Sequence, residues 1–151
     1  MTTLPPQPVA PPVRATSLAL PSPDSLPRAA QAAAAQGKPL VVMTTLKGCA
    51  YCDVVRGHYL GPMQRDGEVV AVQLDMTDKR SVLQGFNGAV TTPHAQVKAW
   101  KAPVAPTVLF LGPHGEELAE RLVGIAVQDM YGDYLQMRLN EAARQLAAPR
   151  R

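Results

Sequence analysis

Residues 39–46 hardly alternate between apolar and polar positions, the pattern of a strand buried on both faces. Directly after them the period changes. Tyr51, Val54, Val55 and His58-Tyr59 recur at spacings of three and four, which predicts a helix that ends near Leu60, before Gly61-Pro62. Residues 68–75 read as a second strand, expected to run parallel to the first and to lie at the centre of the sheet. Residues 76–88 are polar and turn-rich. Thr91 or Thr92 with Pro93 opens a helix over 93–101, with Val97 and Trp100 on one face. Residues 107–111 and 117–123 form a hairpin around Gly112-Pro113-His114-Gly115. A last helix starts near Val127-Gln128-Asp129. Its apolar face comprises Val127, Tyr131, Tyr134/Leu135, Leu139, Ala142/Ala143 and Leu146, and Gly132 is a weak point within it. Upstream, Asp24 or Ser25 caps a helix over 26–36 that Gly37 ends. This alternation predicts an α/β domain, a mixed central sheet flanked by helices on both faces.

The first 27 residues do not fit that pattern. They hold eight of the 15 prolines and two charged residues, Arg14 and Asp24. Repeated proline forbids a regular helix or a central strand, so residues 1–23 are expected to be a disordered proline-rich arm or linker. The folded domain then spans 24–148, with a short tail at 149–151. The remaining length suits one domain with one core, and an apolar fraction of 46% is ordinary for a soluble chain. The net charge of +3 is scattered and aromatic residues are few, which argues against nucleic-acid binding. No apolar run approaches the roughly 18 residues of a membrane span. No basic stretch followed by an apolar core marks a signal peptide at the N-terminus. The arm reads as the linker left behind a removed signal or membrane anchor.

The candidate chemistry lies at the change of period. Cys49 and Cys52 are the only two cysteines, and they sit where the first strand turns into a helix. The first N–H groups of a helix lack partners within it, and its dipole is positive there, so a thiolate at Cys49 is stabilised. Such positions lower a cysteine pKa from about 8.5 into a range of roughly 3.5–7.5. Cys52 follows one turn later on the same face, within reach of a mixed disulfide on Cys49. The pair is suited to dithiol–disulfide exchange. A structural bridge over so short a loop gains little, and a zinc site lacks further cysteines. His58, His94 or Met43 remain available to complete a copper site.

Strand, Cys49-Ala50-Tyr51-Cys52 and helix together resemble the thioredoxin fold, in particular its periplasmic thiol–disulfide oxidoreductases. A second landmark extends the resemblance: Val104-Ala105-Pro106 leading into 107–111, the turn, and 117–124 are similar to the family's cis-proline, strand, turn, strand and glycine. The resemblance covers residues 24–147. It implies that Cys49 and Cys52 are catalytic and that Pro106 is the cis-proline packed against them. It also implies that Ala105 offers backbone hydrogen bonds to a bound peptide, and that Ala50 and Tyr51 contact the partner. It implies no cofactor beyond the dithiol, protein thiol or disulfide substrates, and an upstream thiol reductant, membrane-bound or soluble. The expected compartment is the periplasm, with the cytoplasm as the alternative. The sequence departs from cytoplasmic thioredoxins at two positions. Met43 stands where they carry a buried acid, and Gly48 where they carry a tryptophan, which leaves water, Asp53 or another group to take the proton of Cys52. Direction is expected to be reductive. A glutathione-linked, glutaredoxin-like enzyme and a copper-binding module remain as alternatives.

Overall fold

The computed structural model describes residues 19–125 and 128–148, Gln128 through its backbone alone. Most of the expected arm (residues 1–18), Val127 and the tail at 149–151 lie outside the described residues. Strand β1 (Leu40–Thr45) is buried along its whole length. Its side chains alternate between two apolar clusters, Val41 and Met43 entering one and Leu40 and Val42 the other. A strand sandwiched in this way needs apolar residues at successive positions, which is the pattern its sequence shows.

β1 pairs in parallel with β2 (Val70–Asp75) and antiparallel with β5 (Thr107–Leu111), and β6 (Glu117–Val123) completes a sheet of order β2-β1-β5-β6. The mixed sheet is as expected, but β2 lies at its edge and β1 is central, which corrects the expectation of a central second strand. Among the described residues no further strand pairs with the outer side of β2. There Pro21 accepts a hydrogen bond from the Gln73 N–H at 2.9 Å, and Leu20 is buried. The chain therefore already packs on the domain at Leu20.

Helix α1 (Leu26–Ala35) buries Leu26, Ala30 and Ala33 on one face of the sheet. Of the two expected caps Ser25 serves: its Oγ accepts the Arg28 N–H at 3.3 Å and donates to Gln84 Oε1 at 2.8 Å. The second bond ties α1 to a segment expected to be only turns. That segment holds a short hairpin, β3 (Leu83–Gln84) with β4 (Val90–Thr91). Nearby, a Cβ at Gly115 would lie 2.7 Å from Phe86 Cγ, so the β5–β6 turn needs glycine there for contact as well as for its φ of +84°.

The helix after the cysteines runs further than its glycine and proline suggest. α2 (Ala50–Val54) passes into a π-helical turn (Val55–Leu60) and then α3 (Gly61–Arg65). Proline cannot supply an N–H and clashes with the carbonyl four residues earlier in a regular helix. The wider turn ends just before Gly61-Pro62 and places Pro62 in the first turn of α3, where proline is tolerated. α4 (Pro93–Ala99) is capped by Thr92, whose Oγ1 accepts the Ala95 N–H at 3.2 Å. It stops two residues earlier than expected.

The last helix, α5 (Tyr131–Ala147), follows a 3-10 turn (Gln128–Met130) and buries Tyr131, Leu135, Leu139 and Ala142. Tyr134 and Leu146 remain partly or largely exposed. Gly132 is a point of close approach: a Cβ there would lie 3.1 Å from Tyr59, whose ring stacks obliquely on Tyr131 at 5.3 Å. Burial, and then the neighbouring Tyr59, push the Tyr131 phenol far above its ordinary value, so it stays neutral. Among the described residues no helix is long and apolar enough to cross a membrane.

Ser25→Ala removes the cap of α1 and its link to Gln84, and is expected to destabilise the oxidised protein by about 1 kcal/mol. Urea denaturation measures this; an unchanged midpoint would show that the cap contributes nothing.

Candidate active site

Cys49 is the N-cap of α2. Its backbone is extended (φ −91°, ψ 104°) and its Sγ accepts the Cys52 N–H at 3.2 Å. The sulfur thus occupies the place a capping oxygen usually takes, against the unpaired donors of the helix start. Gly48, with φ +74°, makes the turn from β1 into that cap, a conformation that costs glycine little. Cys49 and Cys52 form a disulfide, with Cα atoms 5.2 Å apart. The two sulfurs have different surroundings. Cys52 is fully buried in the cluster that contains Val41, Met43, Val55 and Phe110, whereas Cys49 is only partly buried.

The second half of the site comes from the other side of β1. The Ala105–Pro106 peptide bond is cis, as the resemblance implies. Cys49 Sγ lies 3.9 Å from the carbonyl oxygen of Ala105, so 56 residues of chain return to place a backbone acceptor beside the sulfur. Paired main chain between β1 and β5 stops at Met43 and Val108. Beyond it, the Thr44 side chain takes over. Its Oγ1 accepts the buried Thr107 N–H at 2.8 Å and lies 3.5 Å from the Val104 carbonyl, which also accepts the Thr107 hydroxyl. Gly124, at the end of β6, donates its N–H to the Pro106 carbonyl at 2.8 Å. The proline loop is thereby held from both of its neighbouring strands.

A third group was not anticipated from the sequence. Arg56, whose side chain is 18% exposed, donates from Nε to Gln73 Oε1 (2.9 Å), from Nη1 to Asp53 Oδ1 (2.9 Å) and from Nη2 to Thr45 Oγ1 (2.7 Å). It fastens the cysteine-bearing helix to the ends of β1 and β2. The only sequence signal is its position seven residues after Cys49, on the helix face the cysteines share.

The structure places Ala50 and Tyr51 in the first turn of α2, both exposed, Tyr51 at 51%. Pro106 is buried beside Ala105. Asp53 faces solvent and is paired with Arg56, so it is not directed at Cys52. Met43 is wholly buried, His58 is exposed on the π-helical turn, and His94 lies in the first turn of α4. Among the described residues no group of three or more His, Cys, Asp or Glu side chains is placed to hold a metal ion.

Comparison with known proteins places this geometry. A family model described as a thioredoxin-like domain matches residues 26–137. Solved structures share the fold at low sequence identity. Oxidised mitochondrial thioredoxin 3 of Saccharomyces cerevisiae aligns with a TM-score of 0.53 and 16% identity, over 84% of this chain and 97% of that one. A Fasciola hepatica thioredoxin gives 0.53 and 12%, over 82% and 99%. A poplar thioredoxin h mutant gives 0.54 and 14%, over 87% and 89%. No curated protein matches the chain.

Thr44→Val keeps the shape of the side chain but leaves the buried Thr107 N–H without an acceptor. The expected loss is about 1–3 kcal/mol in urea denaturation. Thr44→Ser keeps the hydroxyl and is expected to lose clearly less; an unchanged midpoint in Thr44→Val would show that the hydroxyl's bond to Thr107 contributes nothing.

Proposed function

This chain belongs to the thioredoxin-like domain family, and from that premise we propose that it is a thiol–disulfide oxidoreductase that reduces disulfides of partner polypeptides. The observation that carries the reading is the Cys49–Cys52 disulfide at a helix N-terminus, with its outer sulfur beside the Ala105 carbonyl. In the reduced protein the Cys49 thiolate is stabilised by the helix end and by the Cys52 N–H that points at it. It attacks one sulfur of the partner disulfide. A Cys49–partner bond forms, the partner's S–S bond breaks, and the second partner sulfur leaves as a thiolate and takes a proton. Cys52 then gives up its proton and attacks Cys49 Sγ. The Cys49–Cys52 bond forms and the first partner sulfur leaves. Two electrons and two protons pass from the pair to the partner, and an external dithiol, soluble or membrane-bound, must return them.

Ala105, held in place by the buried Pro106, forms with Ala50 and Tyr51 the surface on which the partner chain lies. The exposed ring of Tyr51 supports this, as does the loop's fixation through Thr44 and Gly124, which presents Ala105 in one position. The two thiols carry the electrons, so no cofactor is required. We place the reaction in the periplasm, on the resemblance of the layout to periplasmic members of the family.

Two measurements test the reading. The equilibrium reduction potential of the pair against glutathione buffers is expected near that of thioredoxin, roughly −270 mV; a value near −120 mV would indicate an oxidant and reverse the direction. Cys52→Ser is expected to accumulate a stable mixed disulfide with a substrate protein, and Cys49→Ser to form none. If neither variant traps a partner and the wild type shows no reversible two-electron couple, the exchange reaction is excluded.

A further inference from the structure

We infer that the depression beside Lys47 docks an acidic stretch of the polypeptide whose disulfide is exchanged at Cys49, an inference that rests on the exchange reaction proposed above. The depression has a volume of about 410 Å³ and is lined by Lys47, Asp75, Thr77, Asp78, Lys79 and Arg80. It opens where the parallel strands β1 and β2 end together at the pair Thr45 and Asp75. Crevices at the carboxyl ends of parallel strands are the usual binding positions of open α/β sheets. From its rim the chain reaches Cys49 in two residues after Lys47, a span of at most about 7 Å. A partner segment with its cysteine on Cys49 therefore has its neighbouring residues within reach of these side chains.

The charges in the depression are not equivalent. Both carboxylates are committed to their own loop. Asp75 Oδ1 accepts the Thr77 N–H (2.8 Å) and hydroxyl (2.7 Å). Asp78 Oδ1 accepts the N–H groups of Arg80 and Ser81, each at 2.9 Å, and its Oδ2 accepts the Ser81 hydroxyl. The Ser81 hydroxyl, then these backbone donors, hold the Asp78 carboxyl below its ordinary value, so it stays ionised in that role. The loop is also stitched down. Met76 donates its N–H to the Thr45 carbonyl at 3.0 Å, and His94 to the Asp78 carbonyl at 2.9 Å. Of the cations, Arg80 acts on the Asp78 carboxyl through its charge alone. Lys47, Lys79 and Arg80 are exposed, and among the described residues no ion pair engages any of them. The rim thus carries three exposed cations beside two carboxylates that accept hydrogen bonds from their own loop. Its complement is a carboxylate-bearing chain. Such pairing at an interface rim raises the association rate and discriminates between partners more than it adds affinity.

The test uses the reduced full chain and three synthetic peptides that each contain one cystine. One carries two glutamates within three residues of the reacting cysteine, one carries glutamines there, and one carries its glutamates about ten residues away, roughly 17 Å in a flexible chain and beyond the Debye length of about 10 Å at 0.1 M salt. Initial rates come from quenched reactions read by mass spectrometry. The adjacent-glutamate peptide is expected to react about five-fold faster than the glutamine peptide at low ionic strength, with the advantage largely lost in about 0.5 M salt. Lys79→Glu with Arg80→Glu is expected to reverse the order, and Lys79→Gln alone to narrow it. Equal rates for the adjacent-glutamate and glutamine peptides would overturn the docking inference while leaving the exchange reaction intact. The same holds if near and distant glutamates give equal advantage, because then only the overall charge is felt. If no peptide is reduced, the exchange reaction fails and the inference falls with it.

Discussion

The site depends on a change of partner at the end of a strand pair. β1 and β5 are joined by main chain only as far as Met43 and Val108. Continuing the ladder would bring proline into it, and Pro106 has no N–H to give. The Thr44 hydroxyl supplies the connection instead, accepting the buried Thr107 N–H. This allows the two chains to diverge without stranding a polar group in the core. One chain goes on through Gly48 to Cys49, the other back through Pro106 to Ala105. Their meeting at Cys49 Sγ and the Ala105 carbonyl is the consequence. A buried hydroxyl on a strand of hydrocarbon is thus the joint between the two halves of the redox centre.

The elements of the fold were legible because each has a local cause. The unbroken apolar run of β1, the serine and threonine caps at Ser25 and Thr92, and the turn at Gly112–Gly115 are written within a few residues of where they act. The cysteine pair was legible from its place where a strand turns into a helix, and its proline through resemblance. What escaped needs relations between distant segments. Strand order is not encoded in the pattern of one strand, so β2 was expected at the centre although it lies at the edge. The helix through Gly61-Pro62 continues because an upstream π-helical turn shifts the register, an effect of several residues acting together. Arg56 draws its partners from three segments, Asp53, Thr45 and Gln73, and a lone arginine on a helix gives no sign of that. Gly132 looked like a flaw because the ring that fills its space, Tyr59, is 73 residues away in sequence.

The surroundings of the two sulfurs favour different protonation states. At Cys49 the helix end and the Cys52 N–H favour a thiolate, and what stabilises the thiolate stabilises the reduced pair. At Cys52 the wall is hydrocarbon and the thioether of Met43, and burial without a partner disfavours a charged sulfur. In the proposed exchange this division favours Cys49 as the attacking sulfur, with Cys52 protonated until a mixed disulfide is beside it. Among the described residues no carboxylate is buried with Cys52 as a base to take its proton. Among the described residues the buried polar side chains are Ser25, Thr44, Thr45 and Thr107, all hydroxyls, and Asp53 is held outside by Arg56. A buried carboxylate would have served as that base, and its negative charge would also have opposed a thiolate. Met43, wholly buried and uncharged, supplies neither effect.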